Sequence, residues 1–213
     1  MPKQPSPRKR NPSRVSPATP ILGDLPPDSA VLVIDVQRAC CCTEPPPRDV
    51  EGTLRRINAV TRAARSAGRP VIFIQHRDHE DFTPGSDGWQ LHPALEQAEG
   101  DRYVHKTACD GFYATELDEL LRGLKVDTLV VTGYATEFCV DTTLRSATSR
   151  GYRVIAVSDG HTTKDRPTLR AEQIKAHHNW VWGDLICRNG ITLLKAGEIA
   201  FARRTRVRSP AGS

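Results

Sequence analysis

Several short runs of this chain are apolar at every position rather than at every second one: Ala30-Val-Leu-Val-Ile34, Val71-Ile-Phe-Ile74, Leu129-Val-Val131 and Val154-Ile-Ala-Val157. A strand with one wet face alternates apolar and polar residues. A strand buried on both faces need not, and such strands belong to parallel sheets covered by helices on either side. Parallel neighbours need crossover connections, and the sequence supplies them. Val50, Leu54, Ile57, Val60 and Ala64 recur at helical spacing, and Gly68 followed by Pro70 stops that helix. Alternating strands and helices predict a parallel α/β sheet with right-handed crossovers.

The remaining elements follow from the same signals. Tyr103–His105 reads as a short strand ending at Lys106, and Ile191–Leu194 as a last strand. Between residues 76 and 92 the chain is polar and turn-rich, the composition of a long functional loop. A short helix is expected from Pro93 to Ala98. Thr115 and Asp118 have the spacing of a capping box for a helix through Leu121. Gly133 is expected to break the strand that ends at Thr132, and a helix with Cys139 in its first turn follows it to Gly151. Asp159-Gly160 is expected to close the strand Val154–Ser158, and residues 168–182 to form another helix.

The net charge of +5 is not a property of the expected fold. Lys3, Arg8, Lys9, Arg10 and Arg14 lie in the first twenty residues, and Arg203, Arg204, Arg206 and Arg208 in the last fourteen, with no acid in either stretch. Residues 21–199 are therefore left at −4. A mildly acidic body argues against nucleic-acid binding through the folded domain. Residues 1–25, rich in proline and cations, are expected to be a disordered tail, residues 26–197 the single domain, and residues 198–213 a second basic tail. No run of about 18 apolar residues reads as a membrane helix, and nothing near the N-terminus reads as a signal peptide. The six cysteines, three of them consecutive at Cys40, Cys41 and Cys42, form no CxxC pair. Reduced thiols in a cytoplasm are the expectation.

Ligands of open α/β sheets sit outside the carboxyl ends of the strands. Asp35 follows the first expected strand, Lys106 the third, and Cys139 lies just past the fourth. Alone, Cys139 is better explained by a buried structural thiol and Lys106 by a surface cation, and Asp35 is equally well explained by a helix cap. Together they suit one chemistry. A thiol needs a base to become a nucleophile, a carboxylate supplies it, and a cation adjusts both. Backbone N–H groups of the turn from Gly133 to Cys139 are expected to hold the oxyanion.

The segments Ala30-Val-Leu-Val-Ile-Asp-Val-Gln37, Val104-His-Lys-Thr-Ala-Cys-Asp-Gly-Phe112 and Val131-Thr-Gly-Tyr-Ala-Thr-Glu-Phe-Cys-Val-Asp-Thr-Thr143 resemble the isochorismatase-like cysteine hydrolases, over roughly residues 28–195. The resemblance implies a Rossmann-like three-layer α/β/α fold with a mainly parallel six-stranded sheet. It implies a catalytic triad of Asp35, Lys106 and Cys139. It also implies a cis peptide at Tyr134–Ala135 that aims the Ala135 and Cys139 N–H groups at an oxyanion. Gln37, Gln75, Trp89, Phe112 and Tyr134 are the residues it places on the substrate side. Metal-binding members carry an Asp-x-His pair after the second strand. Here that place reads Gln75-His-Arg-Asp-His79, so no metal and no cofactor are expected. His177 and His178, adjacent on a helix, point in different directions and are read as structural. The implied activity is hydrolysis of a C–N bond in a small amide, carbamoyl or ureido compound, in a dimer or tetramer. An isochorismatase-type vinyl-ether hydrolase and a non-catalytic binding protein on the same frame are the alternatives.

Overall fold

The computed structural model describes residues 23–202, so most of both expected tails lies outside the described residues. Strand β1 (Ser29–Ile34) leads through a helical turn α1 (Arg38–Cys41) and helix α2 (Val50–Ser66) to β2 (Val71–His76) and β3 (Arg102–Lys106). Then come α3 (Leu117–Gly123), β4 (Thr128–Tyr134), a π-helical turn (Thr136–Val140) and α4 (Asp141–Ser149). The chain finishes with β5 (Arg153–Thr162), α5 (Ala171–Asp184), β6 (Ile191–Leu194) and a 3₁₀ turn (Ala196–Glu198).

The six strands form one sheet in the order β3-β2-β1-β4-β5-β6, and every pairing is parallel. The chain starts at β1 in the middle, winds out to one edge, and returns to β4 on the other side of β1. Between β1 and β4 the winding reverses, which is where such sheets open a crevice at their carboxyl edge.

Side chains along β1 show why its run had to be apolar throughout. Ala30, Leu32 and Ile34 pack with Leu117, Leu121, Leu144 and Ala147 of α3 and α4. Val31 and Val33 face the other way, onto Leu54, Ile57 and Val60 of α2. Each buried Leu, Ile or Val among them stabilises the fold by about 1.5–3 kcal/mol relative to exposure.

The packed body is wider than the expected 26–197. Leu25 bridges Phe201 in parallel, its N–H donating to Ala200 O at 2.7 Å and its C=O accepting from Ala202 N–H at 3.0 Å. Leu25, Ile199 and Phe201 join the core on the α2 face. As isolated apolar residues in polar surroundings they carried no periodicity.

Other expectations are corrected by competing interactions. Residues 93–98 form turns, because Asn58 takes their main chain: its Nδ2 donates to Ala94 O at 2.8 Å and its Oδ1 accepts from Glu96 N–H at 3.0 Å. Thr115 and Asp118 make no capping box. The Thr115 hydroxyl bonds Gly111 O at 2.6 Å, and Asp118 accepts from Arg122 and the Tyr152 hydroxyl. Gly133 stays inside β4, with φ +129°, and a Cβ there would meet Ile34 O at 2.2 Å. β5 runs on past Asp159-Gly160 to Thr162 because a register shift between Val131 and Gly133 lets the strands re-pair, Gly133 opposite His161.

Among the described residues no helix is long and apolar enough to cross a membrane. No group of three or more His, Cys, Asp or Glu side chains there is arranged to hold a metal ion. The His177 and His178 rings stand edge to face, and His178 Nδ1 lies 2.8 Å from Ile174 O within its own helix.

Candidate active site

Asp35, Lys106 and Cys139 meet at the reversal point. Asp35 follows β1 in the left-handed region, φ +48°, with its N–H on Ile74 O at 2.8 Å. A non-glycine residue rarely adopts that backbone, and here it turns the carboxylate across the strand ends. Lys106, the last residue of β3, brings its ammonium to three acceptors: Asp35 Oδ2 at 2.6 Å, Ala108 O at 3.0 Å and Cys139 Sγ at 3.2 Å. An ammonium has three N–H bonds. All are committed, so its orientation is fixed.

Both members of the ion pair are shut from solvent, with side-chain exposures of 0% for Lys106 and 6% for Asp35. Burial alone lowers the lysine pKa, but the Asp35 carboxylate and the Cys139 sulfur more than offset it, leaving the ammonium above its ordinary value. Burial pushes the Cys139 thiol up. The Asp35 carboxylate adds to that, and Lys106 opposes it without prevailing. The balance favours the protonated thiol. Desolvation and a facing carboxylate outweigh the neighbouring cation here. Asp35 Oδ1 is buried without a hydrogen-bond partner, so one oxygen of the pair remains uncommitted.

The thiol is carried by the π-helical turn rather than the first turn of an α-helix. The Tyr134–Ala135 peptide is cis. The N–H groups of Phe138 and Val140 both turn back to Ala135 O, at 3.0 and 3.2 Å, and the Cys139 N–H between them takes no part in that pair. Side chains at the end of β5 and just beyond it hold the turn. Thr136 Oγ1 lies 2.8 Å from His161 Nδ1. Glu137 Oε1 accepts from Thr163 Oγ1 at 2.9 Å and from Arg166 Nε at 2.6 Å. The Arg166 guanidinium lies over the Phe138 ring, 5.1 Å from its centroid.

The other expected site residues separate into two groups. Gln37, Gln75 and Trp89 are bound to one another: Gln37 Nε2 donates to His76 O and Trp89 O, both at 2.9 Å, and Gln75 Nε2 donates to Trp89 O at 3.0 Å. Gln37 Oε1 accepts the His76 N–H at 2.8 Å, so its amide is spent on the main chain. Trp89 is half-buried, 5.4 Å from the His105 ring, with its Nε1 buried and unpartnered. Tyr134 is half-buried at the end of β4, and burial, with Cys40 adding and Arg166 opposing, pushes its phenol up to about 12. Phe112 goes elsewhere. It stacks on Tyr152, with 5.8 Å between centroids, inside the core of the α3 and α4 face.

Cys40, His161 and Asn179 are among the residues with structural roles at the site that escaped the sequence reading. The Cys40 thiol donates to Asp35 O at 3.0 Å and fixes the loop after β1. His161 and Asn179 support the cysteine turn. The strand was expected to stop before His161, and nothing in helical spacing ties Asn179 to it.

A family model described as "Isochorismatase domain" matches residues 29–180. The streptothricin hydrolase of Streptomyces noursei is 34% identical over 174 residues, covering 78% of this chain and 69% of that protein. The ureidoacrylate amidohydrolase RutB of Methylobacterium radiotolerans is 31% identical over 216 residues, covering 82% and 80%. Among solved structures, the N-carbamoylsarcosine amidase from Thermoplasma acidophilum superposes with a TM-score of 0.67 at 25% identity, covering 81% of this chain and 98% of that one.

Proposed function

This chain belongs to the isochorismatase family, and we propose that it is a cysteine hydrolase cleaving a C–N bond of a small amide, carbamoyl or ureido substrate. One observation carries the reading: a single buried ammonium, Lys106, bonds both the Asp35 carboxylate and the Cys139 sulfur. The names of the similar proteins, a ureidoacrylate amidohydrolase and an N-carbamoylsarcosine amidase among them, support the bond type.

In this reading the Asp35 carboxylate, through the uncommitted Oδ1, takes the Cys139 proton as Sγ forms its bond to the substrate carbonyl carbon. The carbonyl oxygen becomes an oxyanion, held by the Ala135 and Cys139 N–H groups. Losing one such donor costs about 3 kcal/mol of transition-state stabilisation. Collapse breaks the C–N bond, and the Asp35 carboxyl returns the proton to the departing nitrogen. A water, deprotonated by Asp35, then attacks the thioester, and the sulfur leaves and recovers its proton. Lys106 stays charged throughout, neutralising whichever of carboxylate and thiolate carries the negative charge.

The reaction so drawn assigns no step to a metal or cofactor. Gln75, Trp89 and Tyr134 are proposed as the substrate side of the pocket, with Gln37 holding that wall together. Vinyl-ether hydrolysis would use the acid and leave the sulfur idle, and the bond Lys106 spends on Cys139 favours the nucleophilic reaction. A screen for ammonia release over small amides and ureido acids tests this. Turnover that vanishes in both Cys139→Ala and Asp35→Asn is expected, and turnover retained in Cys139→Ala would overturn it.

A further inference from the structure

His161 sits at the carboxyl end of β5, 1% exposed, with the Trp182 ring edge-on at 5.0 Å. Its two ring nitrogens are both engaged, Nδ1 with Thr136 Oγ1 at 2.8 Å and Nε2 with Asn179 Oδ1 at 3.1 Å. Asn179 Nδ2 donates to Ser158 O at 3.0 Å, so the amide presents its oxygen to the histidine. An oxygen can only accept, so Nε2 carries the proton. Nδ1 of the neutral ring is then a lone pair, and the Thr136 hydroxyl must donate to it. Thr136 is the first residue of the turn that ends one residue past Cys139. The far end of this chain of bonds reaches the surface, where Asn179 lines a cavity of about 620 Å³ with Arg48, Asp49, Glu172, Lys175 and Ala176.

We propose that His161 is a positioning residue: neutral and held in one tautomer by Asn179, it fixes Thr136 and through it the turn that aims Cys139 at Asp35 and Lys106. The inference rests on the cysteine-hydrolase reading above. It requires the ring to stay uncharged for the Thr136 hydroxyl to donate, because a protonated Nδ1 cannot accept and would force that hydroxyl to turn and accept instead. The surroundings agree. Burial, then Lys175 and His178 on α5, push the ring's pKa down to about 3, against the Asn179 bond and the Ser158 main chain, which raise it.

Asn179→Asp tests this, because a carboxylate on Nε2 stabilises the imidazolium. The readouts are the His161 titration by NMR and the rate at which iodoacetamide alkylates Cys139, resolved by peptide mass spectrometry from pH 5 to 8. In the wild type His161 does not titrate in that range. In Asn179→Asp its midpoint rises by at least two units into that range, and the ratio of variant to wild-type alkylation rate shifts at least fivefold as the ring charges, with the same midpoint. Thr136 variants keep the test open should that protein not fold: Thr136→Ser stays within twofold of wild type, and Thr136→Val departs at least tenfold. A His161 titration with a flat rate ratio, or equal rates for Thr136→Ser and Thr136→Val, overturns the inference. Failure of the hydrolase reading would look different, with the coupled titration intact and no turnover of any amide.

Discussion

Lys106 Nζ lies 2.6 Å from Asp35 Oδ2, although β3 and β1 are separated by β2 in the sheet. The lysine reaches across the end of the intervening strand, and both charges end up in the interior. Such a pair is a weak source of net stability while intact, but removing one partner strands the other charge and costs about 3–5 kcal/mol. Lys106→Met is expected to lower the unfolding free energy by about that amount in urea titration. The double variant Lys106→Met/Asp35→Leu is expected to recover much of the loss, because it removes the stranded carboxylate. If the single and double variants are equally unstable, the ion pair is not what the lysine contributes.

Asp35→Asn separates two properties that usually travel together. The carboxylate is one of the forces holding the Cys139 thiol above its ordinary pKa, and Lys106 is the force opposing it. Burial still raises the thiol, but removing the carboxylate takes away the charge that works with it against the Lys106 cation, so the thiol pKa falls. Cys139 in Asp35→Asn should be alkylated faster than in the wild type near pH 7, while amide turnover is lost because no base remains. Slower alkylation would show that Asp35 assists the resting thiol rather than suppressing its ionisation.

The meeting of Asp35, Lys106 and Cys139 was legible before the structure because it needs only the order of strands and the rule that their carboxyl ends share an edge. Asp35 follows β1, Lys106 ends β3 and Cys139 lies just past β4, and apolar runs locate those ends well. The support around them was not legible. Cys40 works through its thiol and a main-chain oxygen, Gln37 through main-chain atoms of residues 76 and 89, and His161 through a residue on a distant helix. None of these bonds leaves a periodic trace. Phe112 lay inside a motif but faces the core, since the chain turns after Lys106 and carries the ring toward Tyr152. Gly133 misled for a related reason: a glycine read as a strand breaker is demanded there by the close approach of Ile34.

That approach can be tested directly. Gly133 has φ +129°, and an added Cβ would lie 2.2 Å from Ile34 O and 2.6 Å from Ile34 N. Those are backbone atoms of β1, immediately before Asp35, and they cannot swing aside. Gly133→Ala therefore combines a disfavoured backbone with a main-chain clash. It should cost more than about 3 kcal/mol, at the severe end of single substitutions. Soluble yield and thermal unfolding measure it. A Gly133→Ala protein of wild-type stability would mean that β1 and β4 are less tightly joined than their register implies.

His161 also links stability to pH. Its folded pKa is pushed down to about 3 from an ordinary value of 6.5, so the folded state resists protonation. Above pH 6.5 the ring is neutral whether folded or not, and the shift has no effect. As pH falls below that, the unfolded chain binds a proton that the folded chain refuses, and stability is lost progressively down to about pH 3. At 1.36 kcal/mol per unit the shift is of order 4–5 kcal/mol at its full extent. His161→Gln, which cannot titrate, should be less stable than wild type at pH 7, because the ring's packing and bonds are lost. Its stability should also fall less steeply between pH 6.5 and 4. Urea unfolding at several pH values gives both quantities. Parallel slopes for the two proteins would mean that His161 is protonated as easily in the fold as outside it, and the neutral ring that Thr136 depends on would lose its support.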